Sequence, residues 1–248
     1  MFPTSMDLPP WELFAAAFLI GIAKTGFSGI SLLSIYLLSE AFGARDQTGL
    51  ALPMLIFADL CVYQGFRRHG GWAEVWKLLP PCIVGLVIGA GLLSVLDNQS
   101  ARPWIGGILI AMGFLTVLRG RFPGLGTWMQ HHSGFAFAMG FLGGATTMLA
   151  NAAGPLISIY LLARGFQKMD LLGTGARFFL LINLLKVPLL AGQDLINAES
   201  LTLGLWAVPA IILGVWLGRR LILVVPQRLF VGMIIAFSIL AGFRLLWP

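Results

Sequence analysis

Ile22-Ala23-Lys24-Thr25-Gly26-Phe27-Ser28-Gly29 sets a lysine in the middle of an apolar run that extends from Trp11 to Leu38. A cation at the centre of a bilayer costs about 2.5–3.5 kcal/mol or more, so Lys24 reads as a functional residue by default. The run is 28 residues long, and about 20 residues are enough to span a membrane as a helix. Excess length and two glycines at its centre predict two half-helices joined at membrane depth. A second such run, Gly134–Ala163, is interrupted by Asn151-Ala152-Ala153-Gly154-Pro155. Pro155 has no backbone donor to lose and suits the first turn of a new helix. Both segments read as re-entrant helical hairpins.

Working outward, six further apolar segments follow these two: Thr48–Phe66, Val75–Leu96, Pro103–Leu118, Leu171–Leu190, Leu201–Leu223 and Leu229–Trp247. The fold class is therefore an all-α polytopic membrane protein with eight hydrophobic segments. Composition agrees: 58% of the 248 residues are hydrophobic and 10% charged, against roughly 25% charged in soluble domains. The net charge of +6 does not indicate nucleic acid, because the arginines lie in short loops between apolar runs, where they set orientation. Residues 1–12 lack a basic stretch followed by a small-residue cleavage site, so a cleaved signal peptide is not expected. Cys61 and Cys82 fall inside apolar segments and read as small core residues.

The chain repeats itself. Ser34-Ile35-Tyr36-Leu37-Leu38 matches Ser158-Ile159-Tyr160-Leu161-Leu162, and nearly the same offset pairs Phe42 with Phe166, Asp46 with Asp170, Asp59 with Asn183, Pro81 with Pro209, Gly107 with Gly232 and Arg119 with Arg244. This divides the chain into a first repeat (1–120), a linker (121–133) and a second repeat (134–248). Loop charges indicate how the halves are related. If the broken segments return to the face they entered, ten loop cations (Arg67, Arg68, Lys77, Arg119, Arg121, Arg164, Lys168, Arg219, Arg220 and Arg228) share one side, and three (Arg45, Arg102 and Arg244) lie opposite. If the segments cross, the split is six against seven and orients nothing. The hairpin reading leaves three full spans per half, an odd number, and so predicts inverted repeats, the usual architecture of secondary transporters.

The candidate substrate groups cluster at the breaks. Lys24, Thr25, Ser28 and Gly29 form the first tip, where the free N–H groups of the following helix favour an anion. Asn151 and Gly154 form the second and offer donors from the opposite side. In Leu171–Leu190, Arg177 has the planar donor fork that grips an oxyanion, and Asn183 follows it. Lys186 is nine residues beyond Arg177, some 180° around the helix, and is expected to pair with Asp59 or to snorkel outward. Asp59 is the one carboxylate well inside a span, with a charge-balancing or proton-coupling role. His131-His132 has no partner cluster for a metal, and no enzyme motif or cofactor fingerprint is present; neither a cofactor nor catalysis is expected.

With Ala23–Gly29, Asn151–Pro155, Tyr160-Leu161-Leu162 and Asn183-Leu184-Leu185-Lys186-Val187-Pro188 in view, the chain resembles the TauE/SafE sulfite exporter family of bacterial membrane permeases from Phe14 to Leu246. The resemblance implies a multi-pass protein of the bacterial inner membrane that moves small sulfur-containing anions such as sulfite or organosulfonates. The expected function is a secondary transporter, an exporter, with its substrate at the midplane between the repeats. An anion channel and a non-transporting accessory protein are the alternatives. The expected partners are the anion and the lipid bilayer, with no nucleic acid, and a homodimer is left open.

Overall fold

The computed structural model describes residues 10–27, 30–43, 46–95, 106–118 apart from 109, 112 and 115, and 122–246. Among them every regular element is a helix: α1 (Trp11–Lys24), α2 (Ser31–Phe42), α3 (Asp46–Phe66), α4 (Ala73–Val95), α5 (Pro123–His131), α6 (Ser133–Ala150), α7 (Ala153–Ala163), α8 (Lys168–Ala191), α9 (Ala198–Val224) and α10 (Gln227–Leu246). Parts of a further helix fall within 106–118. Five helices, α3, α4, α6, α8 and α9, are long and apolar enough to cross a membrane. The chain is a multi-pass membrane protein.

Both expected breaks are present, and each has a local cause. α1 closes with the N–H groups of Thr25 and Gly26 donating to the carbonyls of Ile22 and Ala23 (3.1 and 3.2 Å). Gly26 then takes φ 121°, a conformation that side chains resist, and a Cβ there would meet the Leu172 side chain. α6 closes on Asn151, which sits in the left-handed region (φ 50°, ψ 28°) with its N–H returned to Thr147 at 3.0 Å. Asparagine is one of the few residues other than glycine that accepts this position. Pro155 lies in the first turn of α7, where its missing donor costs nothing.

Close glycine contacts fix how the helices run. Gly21 meets Ile211–Val215, and Gly218 meets Ile22–Thr25, so α1 is parallel to α9. Gly140 meets Leu78–Pro81 and Gly89 meets Ala145–Met148, so α6 is parallel to α4. Pro53 contacts Gly204 and Gly65 faces Arg219, which makes α3 parallel to α9 as well. α3 and α8, in contrast, cross antiparallel: Asp59 faces Asn183, while His69 and Phe66 cover Gly173. The helix within 106–118 also runs antiparallel to α10, with Gly106 and Ile110 at Gly242 and Gly113 at Ile239.

One end of this bundle collects the basic loops. Gly70 N–H donates to Asp170 Oδ1 at 2.9 Å, and Lys168 N–H donates to Gln227 Oε1 at 2.8 Å. The Lys168 ammonium caps the end of α9 by donating to the carbonyls of Ile222 and Val225. Lys77 and Arg164 both pair with Glu74, which also accepts from the Tyr160 hydroxyl at 2.6 Å. These ties place Arg67, Arg68, Lys77, Arg164, Lys168, Arg219, Arg220 and Arg228 at one end; Arg45, Arg102, Arg119 and Arg121 lie outside the described residues. Ala90, Gly49 and residues 193–195 meet at the other end.

Because lipid is as apolar as a leucine side chain, helices in a membrane associate through close packing at small residues. On α6, a Cβ at Gly144 would overlap the Cys82 carbonyl, whereas a Cβ at Gly91 of α4 meets nothing within 4 Å. Gly144→Ala should therefore lower the melting temperature of the purified protein, with a loss of about 1–3 kcal/mol. Gly91→Ala should be neutral or stabilising by up to about 1 kcal/mol, since alanine is the better helix former.

Candidate functional site

At mid-length the crossing of α3 and α8 carries a three-residue polar bridge. Lys24 Nζ lies 2.7 Å from Asp59 Oδ1, and Asn183 Nδ2 donates to Asp59 Oδ2 at 2.6 Å. Lys24 is in the last turn of α1, where the helix dipole favours a cation, and its ammonium also sits 4.8 Å above the Phe179 ring. Asp59 is 1% exposed, and a carboxylate that deep persists only with donors on both oxygens. Lys24 keeps 14% of its side chain accessible, toward a cavity.

Lys186, one turn beyond Asn183, is fully buried. Its ammonium donates to the Thr147 carbonyl at 2.9 Å and to the Asn151 side-chain oxygen. No carboxylate lies within ion-pair distance of it among the described residues. The second bond fixes the Asn151 amide. A lysine has only donors, so the oxygen must face Lys186, and the NH2 group must face away. That nitrogen is buried and has no hydrogen-bond partner among the described residues. An unsatisfied buried donor costs about 1–3 kcal/mol, which an acceptor in the cavity would offset.

The two breaks open onto that cavity, which has a volume of about 80 Å³, room for one small oxyanion or a few waters. Lys24 and Gly26 line it from the first hairpin, Thr147, Asn151 and Gly154 from the second, and Asp59, Phe179 and Asn183 from the crossing pair. Ser31 in the first turn of α2 and Ser158 in α7 complete its polar lining. The N-terminus of α7, with no side-chain cap, also points its dipole here through Gly154.

Of the residues singled out in the sequence, the structure brings Lys24, Asn151, Gly154, Asn183 and Asp59 together on this cavity. Arg177 is a correction. Its guanidinium donates to the carbonyls of His69 (2.7 Å), Gly173 (2.7 Å) and Arg67 (2.6 Å), and it packs beside the Tyr63 and Trp72 rings. The loop carbonyls of Arg67 and His69 lie within reach of this long side chain, and bonding them costs less than crossing apolar packing. Lys186 is a second correction: it bonds Asn151 and Thr147, and the Asp59 oxygens are taken by Lys24 and Asn183. Thr25 is buried and returns its hydroxyl to Ile22 at 2.7 Å, away from the cavity lining. Ser28 and Gly29 lie outside the described residues. Ser31, Thr147, Ser158 and Phe179 join the lining without belonging to the motifs that mark the breaks. Ser158 opens the repeated Ser-Ile-Tyr-Leu-Leu pentad, which was the available signal.

A family model described as sulfite exporter TauE/SafE matches residues 13–245, nearly the whole chain. No curated protein and no solved structure matches it.

Because Arg177 ties the α3–α4 loop to α8, Arg177→Met strands the two loop carbonyls of Arg67 and His69. It should lower thermal stability by about 2–5 kcal/mol while leaving anion affinity within about twofold. Calorimetry and a binding isotherm on the same preparation check both halves of the expectation.

Proposed function

The chain belongs to the sulfite exporter TauE/SafE family, and from that membership and the cavity we propose that it is a secondary transporter of small sulfur oxyanions in a bacterial inner membrane. The substrate sits between the two hairpin tips. One observation carries the reading: among the described residues Lys186 is a fully buried cation without a carboxylate partner, and it holds the Asn151 amide whose donor, turned away from it, has no partner there either, beside the accessible Lys24. At about 5 Å and an effective dielectric near 20, each cation attracts a unit negative charge by about 3 kcal/mol. Two lysines and one carboxylate leave a net charge of +1 for a ligand to balance.

In this proposal the halves are inverted repeats, 1–120 and 134–248 joined by 121–133. Two features support it. The paired helices α3 and α8 run antiparallel, as do the helix within 106–118 and α10. Helices related by an axis along the membrane normal would instead run parallel. In addition, α6 leaves the basic end and α7 returns to it at Arg164, while α1 enters from the other end, alongside α3. By the positive-inside rule the basic end faces the cytoplasm. An anion released outward from a cell that is negative inside gains about 2.3 kcal/mol per charge per 100 mV, so export needs no ATP.

Two experiments test this. Asn151→Asp puts a carboxylate against Lys186 and removes the surplus charge, so sulfite flux into proteoliposomes should fall by about 100-fold, the equivalent of one lost cation, with folding retained. Normal flux in that variant would reject the site. Single cysteines at Arg68, Arg164 and Arg220 should all be labelled from the cytoplasmic face, and labelling of Arg68 and Arg164 from opposite faces would reject the topology.

A further inference from the structure

Resting on the transporter reading, we propose that Asp59 makes the site selective for small oxyanions that carry one charge and one acidic hydrogen, of which hydrogensulfite is the sulfur example. The cavity walls are largely apolar, and their polar groups are neutral or cationic except at this residue. Lys24, the Asn151 amide and the α7 N-terminus all favour negative oxygen, whereas Asp59 is the one carboxylate on the lining among the described residues. Each of its oxygens is already used once, by Lys24 and by Asn183. An ionised carboxylate offers about four lone-pair positions, so two remain for a ligand.

What reaches those positions decides affinity. A fully ionised dianion brings a second negative charge against Asp59, and its own charge exceeds the net +1 that the two lysines and Asp59 leave. A monoanion without an acidic hydrogen matches the charge but presents only acceptors to an acceptor. A hydrogen-bearing monoanion matches the charge and donates its O–H to Asp59, a charge-assisted bond that strengthens where water is scarce. The cavity of about 80 Å³ keeps the class small.

The charged groups around Asp59 come from several helices, and methanesulfonate, which does not titrate in this range, reads out any titration of theirs: its affinity should stay constant across the pH series. Lys24 faces Asp59 from α1, and Asn183 and Lys186 approach from α8. Arg177 of α8 is engaged with the loop carbonyls, Tyr63 of α3 lies beside Arg177, and Arg219 of α9 lies farther along, at Gly65 and Phe66. From α2, Tyr36 and Glu40 are turned to the exposed face.

The test is competition binding to the purified full-length protein in nanodiscs with sulfite, sulfate and methanesulfonate, at pH values below and above the second ionisation of sulfite. Methanesulfonate separates charge from proton, being a monoanion of similar size with no acidic hydrogen. Affinity for total sulfite should fall about tenfold per pH unit above that ionisation. Sulfate and methanesulfonate should bind at least about tenfold more weakly than hydrogensulfite. Asp59→Asn should flatten the pH dependence and admit sulfate. The wild-type ligand series stands if that variant does not fold. Equal binding of all three anions, a retained pH slope in Asp59→Asn, or uptake of a buffer proton as sulfate binds would each overturn the role of Asp59. Failure of every anion to bind at any pH would instead overturn the transporter reading beneath it.

Discussion

One buried and one partly buried ammonium group share the middle of this bundle with a single buried carboxylate, and most of the interior arrangement follows from that inequality. Asp59 is satisfied by Lys24 on one oxygen and Asn183 on the other, which ties α1, α3 and α8 at a single point. Lys186 is left to neutral oxygens, one from the Thr147 backbone and one from the Asn151 side chain. A buried charge held only by dipoles costs several kcal/mol relative to a paired one. A structure that keeps such a group next to a cavity is therefore poised to gain by admitting an anion.

The broken helices make that arrangement possible. Continuous spans would cover their backbone donors and carry the polar tips to the membrane surface, whereas α1 and α6 end inside the bundle and present Lys24 and Asn151 there. Asn151 serves twice, once as the left-handed residue that ends α6 and once as the amide that passes the influence of Lys186 to the cavity. Glycine in its place would keep the turn and lose the amide. The two tips lie far apart in the sequence, so the site is assembled from an early and a late part of the chain.

Much of this was legible in the sequence because it rests on local rules. Run length and the glycines and proline at Lys24–Gly29 and Asn151–Pro155 marked the breaks, and charge inside an apolar run marked Lys24, Asp59 and Lys186. The direction taken by a long side chain was not legible. Helical periodicity put Arg177 near mid-helix but carried no information about the carbonyls of Arg67 and His69, which come from a loop more than a hundred residues earlier. Pairing was similarly hidden. Lys24 and Lys186 compete for Asp59, and the outcome depends on which helix runs beside α3 at that depth. Ser31 and Thr147 join the lining through tertiary placement alone, since serine and threonine are ordinary residues in transmembrane helices.

The central claim is that the space between the hairpin tips holds an oxyanion against Lys24 and Asn151. It is tested most directly by a structure of the protein soaked with selenite, in which selenium is located by its anomalous scattering. The account predicts one selenium peak in the cavity, with its oxygens within hydrogen-bond distance of Lys24 Nζ and Asn151 Nδ2. A peak only at the basic loops around Arg164 and Lys168, with the cavity holding water alone, would contradict it.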